Sequence, residues 1–284
     1  MSGELTIGLA QITGRLYAPD ANRRMTLNAA AELFDRGAEL VVLPELIISG
    51  YGTDGDRLLE GAEPVDGPTA LAWRELAARS GGLIAGGICE RDGEALYNTA
   101  LLVGADGVLL HYRKLHLFAG EKLRFSAGDL GLPVVETHLG MIGVCVCYDL
   151  RFVETVRALA LQGAALVAVP TAWVPGFDSD RWDRDGYALQ ARGALLQANL
   201  DQTFIACASQ VGDNGELDLL GSSLVCDPYG KALLGPLPGD REELGTVRVD
   251  LDQVHRAQER DRLINPRADR RTDVYRLALG DRVL

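Results

Sequence analysis

Cys147, Lys114 and Glu45 are the residues of this chain whose types and placement support chemistry. Cys147 ends the apolar run Met141-Ile142-Gly143-Val144-Cys145-Val146 and is followed at once by Tyr148-Asp149-Leu150-Arg151-Phe152. That pattern predicts a buried strand delivering a thiol to a sharp bend before a helix, whose N-terminus and a nearby ammonium would favour the thiolate. Glu45 follows Leu40-Val41-Val42-Leu43-Pro44, and Lys114 ends Gly107-Val108-Leu109-Leu110-His111-Tyr112-Arg113. A thiol, an amine and a carboxylate at three strand ends can converge. Cys147 would then attack a carbonyl, with Glu45 as the base. Lys114 and the backbone N–H of Tyr148 are the expected oxyanion donors, and such a donor typically lowers a barrier by about 3–4 kcal/mol. Glu45 would pass its proton to a departing amine and activate water against the thioester.

Histidine is the commoner partner of a thiol. His111, His138 and His255 sit in a strand, beside a turn and in a polar segment, and read as surface or turn residues. His116, two residues past Lys114, is expected near the site, holding the lysine strand. Lysine is scarce: only Lys114, Lys122 and Lys231 among 28 basic residues, the rest being arginine. A lysine kept at a strand end suggests a need for a compact ammonium.

Positioning these groups takes alternating strands and helices. Strands are expected at Leu5–Gln11, Leu40–Leu43, Leu83–Cys89, Tyr97–Val103 and Val108–Arg113, with hairpin turns at Asp92-Gly93 and Asp106-Gly107. Helices are expected around Met25–Phe34 and Ala70–Ala78, with a Gly- and Asp-rich loop between Leu43 and Gly67. After a long loop, Leu115 to Leu132, come strands Val134–Thr137 and Met141–Cys147, a helix Phe152–Gln162 and a strand Ala165–Val169. A helix from about Asp183 to Asn199 and strands Thr203–Ser209, Ser222–Cys226, Ala232–Leu234 and Leu244–Val249 follow. Two such blocks predict two sheets covered by helices. The 284 residues read as one domain, with a polar, arginine-rich tail, 251–284, expected to cross to a partner subunit.

Composition narrows the class. Hydrophobic residues make up 47 % of the chain, enough for a large core. No apolar run reaches the roughly 18 residues that span a bilayer. Met1-Ser2-Gly3-Glu4 carries no signal-peptide pattern, so the cytoplasm is the expected location. A net charge of −12 disfavours nucleic acid as a partner. The cysteines, Cys89, Cys145, Cys147, Cys207 and Cys226, are odd in number and irregularly spaced. They fit neither a disulfide framework nor a metal site.

Three blocks then become specific: Leu43-Pro44-Glu45, Tyr112-Arg113-Lys114-Leu115-His116-Leu117-Phe118, and Cys147-Tyr148-Asp149-Leu150-Arg151-Phe152. Together they resemble the nitrilase superfamily of carbon–nitrogen hydrolases. Gly8-Leu9-Ala10-Gln11, Gly221-Ser222-Ser223, Asp227-Pro228-Tyr229-Gly230 and Asp273-Val274-Tyr275 extend the likeness over nearly the whole chain. The resemblance implies an α-β-β-α sandwich with two mixed sheets, a homodimer or larger homo-oligomer, no cofactor, and a Glu45–Lys114–Cys147 triad. It also implies a second glutamate, Glu121 in Glu121-Lys122-Leu123-Arg124-Phe125, orienting Lys114 or the substrate amide. Val153 and Leu200-Asp201-Gln202 depart from the usual pattern at positions expected to affect packing.

Tyr148-Asp149 after the cysteine resembles amidases and some carbamoylases rather than true nitrilases. Carbamoyl-amino-acid hydrolases tend to carry a basic pair there; this chain has only Arg151, expected as a structural ion pair. A small linear amide is therefore expected ahead of a carbamoyl acid, with a nitrile or a non-catalytic binding module as lesser alternatives. Trp173 and Tyr51 are expected to wall the acyl site.

Overall fold

The computed structural model describes residues 3–52 and 54–284; Met1, Ser2 and Thr53 lie outside the described residues, and with them part of the N-terminal reading. Two six-stranded sheets stack face to face. The first runs β14-β1-β2-β3-β4-β5, with β1 Glu4–Gln11, β2 Leu40–Val42, β3 Leu83–Asp92, β4 Ala95–Gly104, β5 Gly107–Arg113 and β14 Glu243–Asp250. The second runs β13-β12-β9-β8-β7-β6, with β6 Val134–Thr137, β7 Gly140–Val144, β8 Leu166–Thr171, β9 Phe204–Ser209, β12 Leu224–Cys226 and β13 Ala232–Leu234. A small hairpin, β10 Val211–Asp213 with β11 Asp218–Leu220, stands apart. Both sheets are mixed: β1-β2-β3 and β7-β8-β9 are parallel, the remaining pairs antiparallel.

Strand alternation explains the layers. Leu5, Ile7 and Leu9 of β1 face the core between the sheets, while Ala10 joins the outer core under helices α1 Pro19–Asp35 and α3 Pro68–Ser80. Trp73 of α3 is fully buried in that outer core and donates its indole N–H to Thr26 of α1 at 3.2 Å. Helices α4 Val153–Leu161 and α5 Leu189–Asp201 cover the second sheet through Val156, Leu159, Ala191 and Ala194. The layers are thus the expected α-β-β-α, and each buried Leu or Val contributes about 1.5–3 kcal/mol.

Besides the β10–β11 hairpin, which the sequence did not announce, three differences bear on the site's surroundings. The Gly- and Asp-rich stretch contains helix α2, Gly55–Gly61, capped by the Asp54 carboxylate accepting from the backbone N–H of Asp56 and Arg57. It buries only Leu58, too little for an amphipathic signature. Helix α5 begins at Leu189, not Asp183, because the Asp183 carboxylate accepts from the N–H of Asp185 and Tyr187 and holds a turn instead. The strand before Cys147 stops at Val144, two residues before the bend.

The tail lies on its own subunit's helices over part of its length. The Arg267 guanidinium donates to the Ala160 and Asp201 carbonyls, and Leu277, Leu279 and Leu284 pack on the main core. Leu263, Val274 and Tyr275 remain exposed.

Candidate active site

Four backbone segments at one edge of the sandwich bring the polar groups together. Glu45 follows β2, and the chain passes so close over β3 that a Cβ on Gly87 would collide with the Leu46 nitrogen and come within 2.7 Å of Glu45 Cα. Gly87 is therefore required here. The Glu45 main chain is held across the sandwich, its N–H donating to Thr171 O at 3.3 Å and its carbonyl accepting from Gln210 Nε2 at 2.8 Å. Lys114 continues β5: its N–H donates to Asn98 O at 2.8 Å and its carbonyl accepts from Gly128 N at 2.9 Å. Glu121 lies in a 3-10 turn, Ala119–Leu123, that its own carboxylate closes by accepting from Phe118 N at 2.7 Å. Cys147 opens a second 3-10 turn, Cys147–Arg151, at φ +44°. A left-handed conformation at a non-glycine residue costs on the order of 1–3 kcal/mol and persists only where its surroundings impose it.

Asp149 imposes it. Its fully buried carboxylate accepts from Val146 N at 2.9 Å, closing the bend around Cys147. It also accepts from Tyr112 OH at 2.7 Å, His116 N at 3.1 Å and His116 Nδ1 at 2.7 Å. His116 in turn stacks on Phe152, ring centroids 3.6 Å apart. Asp149 thus ties the cysteine bend of one sheet to the lysine strand of the other, and His116 sits where it was expected.

Lys114 is 1 % exposed and Glu45 fully buried. The ammonium donates to Glu45 Oε1 at 2.6 Å and to Glu121 Oε1 at 2.9 Å. An ammonium has three N–H groups, so one remains for another acceptor. Asn98 donates to the same two oxygens, at 2.7 and 2.9 Å, and Tyr51 OH adds a third donor to Glu121 Oε1 at 2.8 Å. Glu45 Oε2 is buried and has no hydrogen-bond partner among the described residues. Cys147 faces this carboxylate and feels the charge of Lys114.

Electrostatics follow from burial. Desolvation raises the Glu45 carboxyl from 4.5 to about 7 against the pull of Lys114. Desolvation would lower Lys114, yet Glu121 and Glu45 hold its ammonium well above the ordinary value. Burial pushes the Cys147 thiol up, and Glu45 adds to it; Lys114 and the Ala172 backbone N–H pull the other way and lose. The sequence expectation of a favoured thiolate is therefore corrected: burial and Glu45 favour the neutral thiol, so ionising it requires an acceptor for its proton.

Cys147 opens into a cavity of about 190 Å³ walled by Phe118, Tyr148, Trp173, Phe177 and Leu196. Tyr51 and Glu121 line a neighbouring cavity of about 150 Å³, which shares Phe118 and Val174 with the first. Trp173 thus stands beside the thiol, whereas Tyr51 stands on the Glu121 side. Arg151 also lines the Cys147 cavity. It is exposed, lies 4.6 Å over the Phe177 ring, and makes no ion pair among the described residues, contrary to the expectation. Asn98 was missed in the sequence; the available signal was a pair of polar residues, Asn98-Thr99, inside an otherwise largely apolar strand. Among the described residues no helix is long and apolar enough to cross a membrane.

Residues 6–259 match the carbon–nitrogen hydrolase family. A nitrilase of Pyrococcus abyssi is 32 % identical over 271 residues, 95 % of this chain and 98 % of that one. An (R)-stereoselective amidase of a Pseudomonas species is 33 % identical over 257 residues, 89 % of this chain and 88 % of that one. Among solved structures, a mutant of the amidase from Nesterenkonia sp. AN1, with the acetamide moiety of fluoroacetamide added covalently at its active-site cysteine, superposes with a TM-score of 0.76 at 28 % identity, covering 96 % of this chain and 95 % of that one.

Proposed function

The chain belongs to the carbon–nitrogen hydrolase family and is an amidase-type enzyme of the nitrilase superfamily; from that premise we propose that it hydrolyses a small linear primary amide to the acid and ammonia through a thioester on Cys147. The Cys147 sulfur attacks the amide carbon as its proton passes to Glu45 Oε2. The third N–H of Lys114 and the Tyr148 backbone N–H receive the oxygen that gains charge. Collapse of the tetrahedral adduct breaks the C–N bond, and Glu45 gives its proton to the departing ammonia. Water, deprotonated by Glu45, then attacks the thioester; the acid leaves and the proton returns to the sulfur. Glu121 holds Lys114.

One observation carries this reading. Glu45 Oε1 accepts from Lys114 and Asn98, while Oε2 is buried with no N–H or O–H donor among the described residues, and the carboxylate faces the Cys147 thiol. A buried oxygen without a partner costs about 1–3 kcal/mol, and proton transfer from sulfur is what would satisfy it. The acyl group would lie in the apolar cavity against Trp173, with Tyr51 supporting Glu121 on the other side.

A second reading, hydrolysis of an N-carbamoyl acid, is favoured by the unpaired Arg151 at the same cavity. The test is ammonia release from short aliphatic amides, carbamoyl amino acids and matching nitriles, with Cys147→Ala as control. Release from amides, abolished in Cys147→Ala with its melting temperature kept, supports the first reading. Release from carbamoyl acids alone supports the second, and release that survives Cys147→Ala overturns both. We also propose a homodimer across α4 and α5, where Val153 and Leu196 are each 60 % exposed and line the Cys147 cavity. A monomer by sedimentation would refute it.

A further inference from the structure

Asn98 stands in β4 with its side chain 1 % exposed, at the centre of the buried cluster. Its main-chain carbonyl receives the Lys114 N–H, and its side-chain amide donates to the same two oxygens that the Lys114 ammonium contacts. The result is a closed ring of alternating donors and acceptors: Lys114 Nζ, Glu45 Oε1, Asn98 Nδ2, Glu121 Oε1. The amide orientation is fixed by chemistry. Turned over, its carbonyl oxygen would face two carboxylates. In the orientation adopted, Oδ1 is buried without a partner. The fold tolerates that cost, which is reason to ask what the donors accomplish.

Two carboxylates here share one ammonium. An apolar side chain at 98 would leave them facing each other with only the Lys114 ammonium shared between them. A third carboxylate would add like charge, and a second cation would neutralise the base. A neutral group with two N–H donors satisfies both oxygens and adds no net charge. We propose that Asn98 is a positioning residue: its amide sets the spacing of Glu45 and Glu121 around Lys114 and keeps Glu45 available as the base for the Cys147 thiol. This deepens the thiol–base reading above and rests on it. The groups facing Glu45 are Lys114 from the end of β5, Glu121 from its 3-10 turn and Cys147 from its bend, with Tyr51 facing Glu121. Burial and Glu121 raise the Glu45 carboxyl, while Lys114 and the Asn98 hydrogen bond lower it. Removing the Asn98 donors therefore moves it further up.

The experiment reads the thiol without needing the substrate. Iodoacetamide alkylation of Cys147, located by peptide mass spectrometry, is followed against pH in the wild type, Asn98→Leu and Asn98→Ser. The other four cysteines are buried. In the wild type the rate rises as Glu45 ionises. In both variants the rising limb moves up by about one pH unit, so that alkylation falls about fivefold at pH 7 and about tenfold at pH 6, and recovers above pH 9. Thermal melts show which variants are folded; Asn98→Ser, smaller than the native side chain, serves if Asn98→Leu is not. A limb unmoved in a folded variant, or a loss equal at every pH, overturns the role given to Asn98. A wild type with no limb near neutral pH overturns the thiol–base reading itself.

Discussion

Glu90 and Glu45 are two buried carboxylates whose partners are adjacent residues of the same strands. Asn98 and Thr99 are consecutive on β4, and Arg113 and Lys114 are consecutive at the end of β5, so each pair points to opposite faces. On one face, Thr99, His111 and Arg113 supply donors to both oxygens of Glu90. Arg113 also pairs with Asp92 and Asp129 and lies 3.8 Å over the Tyr97 ring. Burial would raise the Glu90 carboxyl, but these bonds outweigh it and bring the group from 4.5 down to about 2. On the other face, Glu45 has one oxygen paired and one unpaired, and lies at about 7. The folding chain satisfies one carboxylate completely and stops short with the other. Complete satisfaction makes a strut; the unfilled position is what the proposed base requires.

The largest test of this contrast is Lys114→Arg. Arginine would preserve the charge and serve well on the Glu90 face. On the Glu45 face its planar fork does not fit a fully enclosed site and cannot present a single N–H to an oxyanion. Turnover is expected to fall roughly 100- to 1,000-fold, the usual result of losing an oxyanion donor. Rates within a few-fold of wild type would show that this face, too, needs only charge.

The contrast also marks what a sequence makes legible. Glu45, Lys114 and Cys147 stand out because each terminates an apolar run, and a strand end is a local pattern. The paired sheets follow from the same runs. Asn98 does not stand out, because its partners lie 53 and 23 residues away and only the folded sheet brings them together. The state of the Cys147 thiol was misread for a related reason. A helix start and a lysine are visible in the sequence, whereas the depth of burial that outweighs them belongs to the tertiary structure. Helix α2 escaped because its single buried residue, Leu58, leaves no periodicity.

Next in size is the pH dependence. In the proposed mechanism Glu45 must be ionised to accept the thiol proton, and burial pushes its carboxyl up to about 7. The kcat/KM of the free enzyme is therefore expected to rise about tenfold per unit below pH 7 and to level above it. An acid limb near 4.5 would place Glu45 with ordinary carboxylates and remove the difference from Glu90. Stability should show the opposite assignment. The Glu90 carboxyl is depressed on folding, so its contribution is present above 4.5 and lost as pH falls toward about 2.

Glu90→Gln sharpens the comparison from the structural side. It leaves Arg113 short of its buried partner, which costs about 3 kcal/mol and lowers the melting temperature by about 6–12 °C. Activity per folded molecule should stay within a few-fold of wild type. The penalty should shrink at pH 3, where Glu90 in the unfolded chain is already protonated. A 100-fold fall in kcat in folded protein would mean that the Glu90 face also steers Lys114.

The smallest effect is expected where the two sheets are tied. His116 contributes one of the four bonds to Asp149 and a stacking contact to Phe152; the His116 and Val146 backbone N–H groups and Tyr112 supply the rest. His116→Ala removes one donor to a buried carboxylate, a loss of about 1–1.5 kcal/mol or roughly tenfold in rate. Because Asp149 holds the Cys147 bend against the Lys114 strand and does not line the substrate cavity, the fall should be in kcat with KM little changed. Asn carries its amide N–H near the position of Nδ1, so His116→Asn should recover most of the rate, although it cannot stack on Phe152. Recovery would assign the effect to the hydrogen bond. Failure of His116→Asn with the fold intact would assign it to the ring, and an unchanged kcat in His116→Ala would mean that the backbone and Tyr112 donors suffice to hold the thiol in place.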